Sequence, residues 1–317
     1  FGALFYLITT IAYLYIPVIP MLYLVRLLNG FAYGSISTAT NAIVTAYIPK
    51  SRYGEGINYY GLSTSLAAAI GPFIGMLLLN YTNFKFIVFF SIALVFLTTI
   101  ACFVFPVKNI LLTEETKQAI NKWTFDSFIE KKVIFIAFLA FLMGLSYSSV
   151  LAFLSSYVKI IHLVEISSLF FVVYALIITA TRPLSGKIFD SLGEKFVMYP
   201  SYIFLTLGLI LLSFTTSGWE LLVSGGLIGL GYGTFMSNGQ AVSLKQITSS
   251  HRIGVALSTY FIGLDLGLGV GPFILGELRS FFSFQQVYLI AAILPIVCLV
   301  LYKVSLHKNT AKQQPLT

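Results

Sequence analysis

Long apolar runs separated by short polar breaks set the pattern of this chain. The runs fall at about 2–17, 20–48, 56–79, 84–106, 133–158, 165–187, 196–216, 218–244, 253–278 and 285–303. They are far longer than ordinary strands of about 5–6 residues and do not alternate polar with apolar, which argues against a sheet or a barrel. A bilayer core of about 30 Å needs about 20 apolar residues per helix, so the pattern predicts ten membrane helices. The breaks carry turn chemistry: Pro17 and Pro20, Pro49, the Asn80-Tyr81-Thr82-Asn83 stretch, and Thr216-Ser217-Gly218. The longest break, 107–132, holds five lysines and the acids Glu114, Glu115, Asp126 and Glu130. It reads as a polar cytoplasmic linker, docked on the membrane surface by Trp123 and Phe125, with four helices before it and six after. The expected organisation is an N-terminal bundle over 1–107, a linker over 108–132, a C-terminal bundle over 133–303 and a tail over 304–317.

Composition sharpens this picture. Hydrophobic residues make up 58% and charged residues 9%, with a mean hydropathy of +0.92. A soluble domain carries roughly 45–50% apolar and 25% charged residues, so a soluble enzyme and a disordered chain are both excluded. The net charge of +8 does not point to nucleic acid, because the basic residues sit singly in breaks between apolar runs. Their placement instead gives topology. Fifteen Lys and Arg fall in one alternate set of gaps, among them Lys50, Arg52, Arg182, Lys195 and Arg252. Only Lys85, Lys159 and Arg279 fall in the other set. The positive-inside rule puts the first set, and the C-terminal tail, in the cytoplasm. Cys102 and Cys298 lie inside apolar runs, and His162, His251 and His307 are scattered, so neither a disulfide framework nor a metal site is expected. The run Gly267-Leu268-Gly269-Val270-Gly271 follows no strand, so no dinucleotide site, no cofactor and no enzymatic activity are expected. Residue 1 is Phe within an apolar run, and the numbered chain is expected to begin inside a longer protein.

Sliding the chain on itself by 200 residues aligns Arg52, Gly54, Tyr60, Leu66, Gly71, Pro72, Phe73 and Ile74 with Arg252, Gly254, Tyr260, Leu266, Gly271, Pro272, Phe273 and Ile274. A shift of 199 aligns Gly30, Tyr33, Gly34 and Ala42 with Gly229, Tyr232, Gly233 and Ala241. Shared apolar composition does not explain a matched Arg and matched Gly-Pro pairs. The pattern predicts two parallel halves of six helices, the first lacking its first two helices in this numbering.

Three stretches carry a family resemblance. Arg26-Leu27-Leu28-Asn29-Gly30 resembles the Arg-x-x-Gln-Gly motif of the fourth helix of the major facilitator superfamily, with Asn in place of Gln. Gly71-Pro72-Phe73-Ile74-Gly75 resembles that family's antiporter motif, whose earlier glycines are Asn58 and Ala67 here. The run from Gly186 through Asp190 and Gly193 to Lys195 resembles the loop motif between its eighth and ninth helices, with Ser191 and Glu194 replacing basic residues. The chain therefore resembles the twelve-helix drug:proton antiporters over its whole length. That resemblance implies an all-α membrane protein, a double six-helix bundle with about ten of twelve helices present. It implies proton-coupled efflux of small molecules or drugs by a monomer in the bacterial plasma membrane. The superfamily also holds symporters, so a proton-coupled importer of sugars or other metabolites, or a non-transporting receptor, stays open. Without the first two helices, the 317 residues alone are expected not to transport.

Asp265 is the most informative single residue, near the middle of the 253–278 run. An ionised acid there costs roughly 2.5–3.5 kcal/mol on insertion scales. Protonating an ordinary Asp at neutral pH costs about 4 kcal/mol, so a modest change of surroundings flips the balance. That suits a proton-coupling carboxylate; the competing reading is a structural acid hydrogen-bonded at a helix contact. The resemblance gives Arg26 a role in proton relay or in holding water. Gly71, Pro72, Gly75, Gly271 and Pro272 are expected to form a bending motif, each proline removing one helix bond. Arg182, Gly186, Asp190, Gly193 and Lys195 are expected to form a cytoplasmic gate held by salt bridges. Asn41, Tyr147, Asn238 and Gln240 are polar inside helices and are candidates for the substrate cavity.

Overall fold

The computed structural model describes residues 1–104, 128–247, 249 and 252–313. The apolar runs form helices: α1 (Gly2–Ala12), α2 (Ile19–Tyr47), α3 (Tyr53–Tyr81), α4 (Phe84–Val104), α5 (Ile134–Ile160), α6 (Val164–Leu192), α7 (Lys195–Ser213), α8 (Gly218–Ile228), α9 (Thr234–Lys245), α10 (Ile253–Arg279) and α11 (Phe284–Gln313). The described residues hold no strand. Six of these helical stretches are individually long and apolar enough to cross a membrane, at Phe84–Val104, Lys131–Ile160, Val164–Leu192, Lys195–Ser213, Ile253–Arg279 and Phe284–Ser305. Most of the central linker, including Trp123 and Phe125, lies outside the described residues.

The helix ends follow local chemistry. Ser217 and Glu220 make a reciprocal capping box at the start of α8, where the Glu220 carboxylate accepts from the Ser217 N–H at 3.0 Å. Ser283 and Gln286 repeat the device at α11, with Ser283 N–H donating to Gln286 Oε1 at 2.9 Å. Gly193 closes α6 at φ 99°, a conformation that favours glycine. Two boundaries differ from the sequence reading. Helix α6 runs to Leu192 rather than ending near residue 187, so Gly186 and Asp190 sit on a helix and only Gly193 and Glu194 form the turn. The 218–244 run is not one regular helix: α8 and α9 are joined by a π-helical turn at Gly229–Gly233, rich in glycine.

The chain divides into two compact units, Phe1–Tyr47 with Ala67–Trp123, and Ile48–Leu66 with Thr124–Thr317. In the first, α1 packs on α2 and α4. Asn29 Nδ2 donates to Thr9 Oγ1 at 3.1 Å and Thr10 Oγ1 at 3.3 Å, which ties α2 to α1. Thr99 Oγ1 of α4 donates to Ala3 O at 3.4 Å.

The second unit is built on a seam between α5 and α10. A methyl on Gly144 would lie 2.5 Å from Leu264 O, and methyls on Gly263 and Gly267 would run into the carbonyls of Ala137 and Phe141. The glycines let the two backbones touch, which is how helices gain packing energy where lipid removes the hydrophobic drive. Helix α11 closes over this pair, with Ser146 Oγ donating to Ala291 O at 2.8 Å. Tyr157, Tyr202, Tyr260 and Tyr288 fill the interior with fully buried rings.

Candidate functional site

The polar chemistry of the second unit gathers where α3, α6 and α9 meet. Asn58 Nδ2 donates to Asn238 Oδ1 at 3.0 Å and to Gly54 O at 2.8 Å. Asn238 Nδ2 donates to Ser185 Oγ at 3.4 Å, and Ser185 Oγ donates to Asn58 Oδ1 at 3.2 Å. The three side chains thus close a ring, and all three are buried. Neutral amides and a hydroxyl can hold three helices in register at low dielectric and still part at about 1 kcal/mol per bond.

One turn from the ring, Asp190 meets the start of α3. Its Oδ1 accepts from Gly54 N–H at 2.9 Å and its Oδ2 from Glu55 N–H at 2.7 Å. These are orphan amides of the first helical turn, where the helix dipole also favours an anion. The backbones approach closely because both sides are glycine: a methyl on Gly186 would lie 2.7 Å from Gly54 O. Gly186 and Asp190 therefore act together. The salt bridges expected of the gate are not formed among the described residues. Lys195 is exposed at the first position of α7, and Glu194, which stands where the family motif has a basic residue, accepts from Tyr302 OH at 2.7 Å. Arg182 lies two turns before Asp190 and is 3% exposed, away from that contact. Its Nη1 is 3.5 Å from Thr64 Oγ1, and its Nε has no partner. A methyl on Gly61 would collide with the same guanidinium.

Tyr174, on the same helix as Arg182, leads to an aromatic stack. Tyr147 lies between Tyr174, at 5.6 Å between ring centroids, and Tyr232, at 4.0 Å, and both pairs are near parallel at 13°. Tyr232 sits inside the π-helical turn, which sets its ring against Tyr147. Asp265 lies within electrostatic reach of Tyr232 and Tyr260.

Asp265 itself is exposed and accepts no hydrogen bond from any described residue. It stands two residues from both Gly263 and Gly267, and 100° per residue turns it to the side of α10 away from the α5 seam. The glycines and the acid thus serve different faces of one helix. Gly271 belongs to the seam, against Ser148, while Pro272 is accommodated inside the continuous α10.

In the first unit, Arg26 is exposed and lies over the Tyr13 ring at 5.6 Å. Asn41 is buried and its Nδ2 donates to Ser37 O at 2.9 Å, within its own helix. Gly71, Pro72 and Gly75 lie within the unbroken α3. Gln240 is buried in α9, two residues beyond Asn238. Four contributors were not singled out from sequence. Asn58 was read only as a departure from a glycine motif, and Ser185 and Tyr174 carried no local signal. Glu130 falls in the linker by sequence, yet it is buried, pairs with Arg252, and donates its backbone N–H to Thr259 Oγ1 at 2.9 Å.

The fold and these motifs define a multi-pass membrane transporter. The sequence profile of the Major Facilitator Superfamily matches residues 1–242 and again 165–316, and the chain belongs to that family. An uncharacterized MFS-type transporter of Methanocaldococcus jannaschii is 23% identical over 304 residues, covering 93% of this chain and 78% of that protein. The multidrug resistance protein MdtG of Proteus mirabilis is 27% identical over 186 residues, covering 57% of this chain and 44% of its own. MdtG of Escherichia fergusonii is 22% identical over 305 residues, covering 92% of this chain and 71% of its own. Against those relatives the match therefore spans less than half to about three quarters of their length. Among solved structures, the human organic anion transporter MFSD10 superposes with a TM-score of 0.69 at 16% identity, covering 95% of this chain and 75% of its own. The Escherichia coli fucose:proton symporter FucP superposes at 0.68 and 13% identity, covering 96% and 82%. These two likenesses speak for the fold alone.

Proposed function

We propose that this protein exports small molecules in exchange for protons, by alternating access between two helical bundles. The observation that carries the reading is Asp265: a carboxylate in the middle of a membrane helix, turned from the packing seam and held by no described hydrogen bond. A structural acid would have been expected to hydrogen-bond at the helix contact. An unheld carboxylate can load and release a proton as its surroundings change. Each proton entering across 100 mV releases about 2.3 kcal/mol to drive the cycle. The direction of transport draws support from the MdtG relatives, which are named for multidrug resistance.

The remaining site residues take roles around that centre. Asp190, with Gly186, latches the start of α3 and is released when the bundles rock. Gly193 and Lys195 end the same gate, with the C-terminal tail on its cytoplasmic side. In the second unit Asn238, Gln240 and Tyr147 supply polar positions for the substrate, and in the first unit Asn41 does the same. Arg26 stabilises the proton path in the first unit, and the Gly-Pro pairs at Gly71 and Gly271 permit the bends. A bacterial plasma membrane supplies the proton gradient.

The test expresses the complete reading frame in cells lacking their main efflux pumps. Loss of fluorescent amphiphiles of either charge is followed with and without a protonophore, for wild type and Asp265→Asn. Protonophore-sensitive efflux that the variant lacks at equal membrane level is the expected result. Proton-dependent accumulation instead of efflux would reverse the direction, and wild-type rates in Asp265→Asn would remove the residue from coupling.

A further inference from the structure

Arg182 is a buried cation with no anion beside it. It is 3% exposed, on a helix long and apolar enough to span the membrane. A guanidinium stays charged at any physiological pH, so burial cannot be relieved by losing a proton. Its contacts are neutral: a long 3.5 Å approach to Thr64 Oγ1, the backbone at Gly61, and the nearby Tyr174. Its Nε has no hydrogen-bond partner, and no carboxylate of a described residue lies within 4.0 Å. Several acids of the same unit are engaged elsewhere. Asp190 caps α3, Glu130 pairs with Arg252, Glu194 accepts from Tyr302, and Glu220 caps α8. A buried cation of this kind is costly unless a paired charge meets it at some stage of the protein's work.

The neighbourhood says what that charge should be attached to. Tyr174, on the same helix as Arg182 and within its electrostatic reach, stacks on Tyr147, which stacks in turn on Tyr232; Tyr232 is carried by a π-helical turn, an irregularity concentrated at functional positions. A forked donor beside flat aromatic faces complements a carboxylate or phosphonate attached to an aromatic or apolar body. A lipophilic cation would meet repulsion at the same place. The groups that cover the guanidinium, Gly61 and Thr64, belong to α3, whose start is held by the Asp190 latch. Release of that latch would free α3 to move off the cation.

We propose that Arg182 receives the acidic group of the substrate, and that the molecules carried are amphiphilic organic anions. This rests on the export reading above and names its substrate class. It also makes transport electrogenic, because an anion leaving and a proton entering move charge in the same sense.

The test uses inside-out vesicles from cells expressing the complete reading frame, with fluorescein as the anion and a cationic rhodamine of matched size. Energised vesicles are expected to accumulate fluorescein. Arg182→Gln is expected to raise its KM about tenfold or more, since a charge-assisted hydrogen bond contributes roughly 1.5–3 kcal/mol and 1.4 kcal/mol is tenfold. Arg182→Lys, keeping charge but losing the fork, should fall between. Rhodamine kinetics should not worsen in Arg182→Gln. Accumulation of rhodamine without fluorescein overturns the anion proposal and leaves export standing. An unchanged KM for fluorescein in Arg182→Gln overturns the role of Arg182. If neither dye moves, export fails and binding decides: fluorescein must raise the melting temperature of purified wild-type protein, and its methyl ester must not. The same binding comparison decides if Arg182→Gln does not reach the membrane.

Discussion

Helices α3 and α10 hold matching places in the 200-residue repeat, yet they close on their neighbours at opposite ends. Gly54 is pressed against Gly186 and Asp190, whereas its repeat mate Gly254 has no described atom within 4 Å of a Cβ. Gly271 is pressed against Ser148, whereas its mate Gly71 has no described atom within 4 Å. The arginines that open the two helices part in the same way. Arg52 reaches Glu55 in its own first turn at 4.0 Å, while Arg252 pairs with Glu130 from a different segment. The repeat preserves where the backbone can bend and where a close approach is permitted. It does not preserve which of those approaches is used. A transporter built from two similar halves needs that inequality, because halves with identical contacts would have no contact to exchange as access alternates.

The largest effect should come from filling the α10 seam. Gly267→Leu places a side chain against the Phe141 carbonyl, a backbone atom that cannot step aside. Overpacking of this kind costs about 1–3 kcal/mol and occasionally more, so a large drop in melting temperature or loss from the membrane is expected. Gly71→Leu, on the repeat mate of Gly271, should fold and reach the membrane at wild-type level. Equal destabilisation by the two would break the comparison between the helices.

The ends of the two helices offer a smaller contrast. Asp190→Asn keeps the shape but removes the charge from two amide bonds at 2.9 and 2.7 Å. Charge-assisted bonds contribute roughly 1.5–3 kcal/mol, of which the asparagine retains part, so a loss of about 1 kcal/mol in unfolding free energy is expected. Glu130→Gln, at the matching end of α10, should cost less, because Arg252 is 31% exposed and solvent screens the pair. Chemical denaturation of the purified variants checks the order of the two.

How far this was legible from the chain depends on the range of the interaction. The apolar runs and their breaks are local signals, and the helices fall where they predict except at the end of α6 and at the turn between α8 and α9. Asp265 stood out because an acid in an apolar run is visible without partners. Asn238 is visible as a type, an amide inside an apolar run, but its partner is not: Asn58 is 180 residues away and sits at a position the family motif gives to glycine. Arg182 was grouped with Asp190 and Lys195 because all three lie close in sequence and carry charge. The extension of α6 to Leu192 undoes that grouping, since two helical turns of one continuous helix separate Arg182 from Asp190. Periodicity and composition carry no information on which face of that helix meets α3.

The smallest expected effect sharpens the comparison most. Gly71 lies in a helix interior with no described atom within 4 Å of a Cβ, so Gly71→Ala should stabilise α3 by roughly 0.5–1 kcal/mol through backbone entropy. Gly271→Ala, with Ser148 in the way, should be destabilising instead. If Gly71 has no part in bending, the alanine variant will be more stable and transport at the wild-type rate. If it is kept because α3 must bend there, the same variant will melt higher and turn over more slowly. A rise in melting temperature paired with a fall in turnover separates a bending glycine from a neutral one, and it is the outcome expected where no described atom lies within 4 Å of the added methyl.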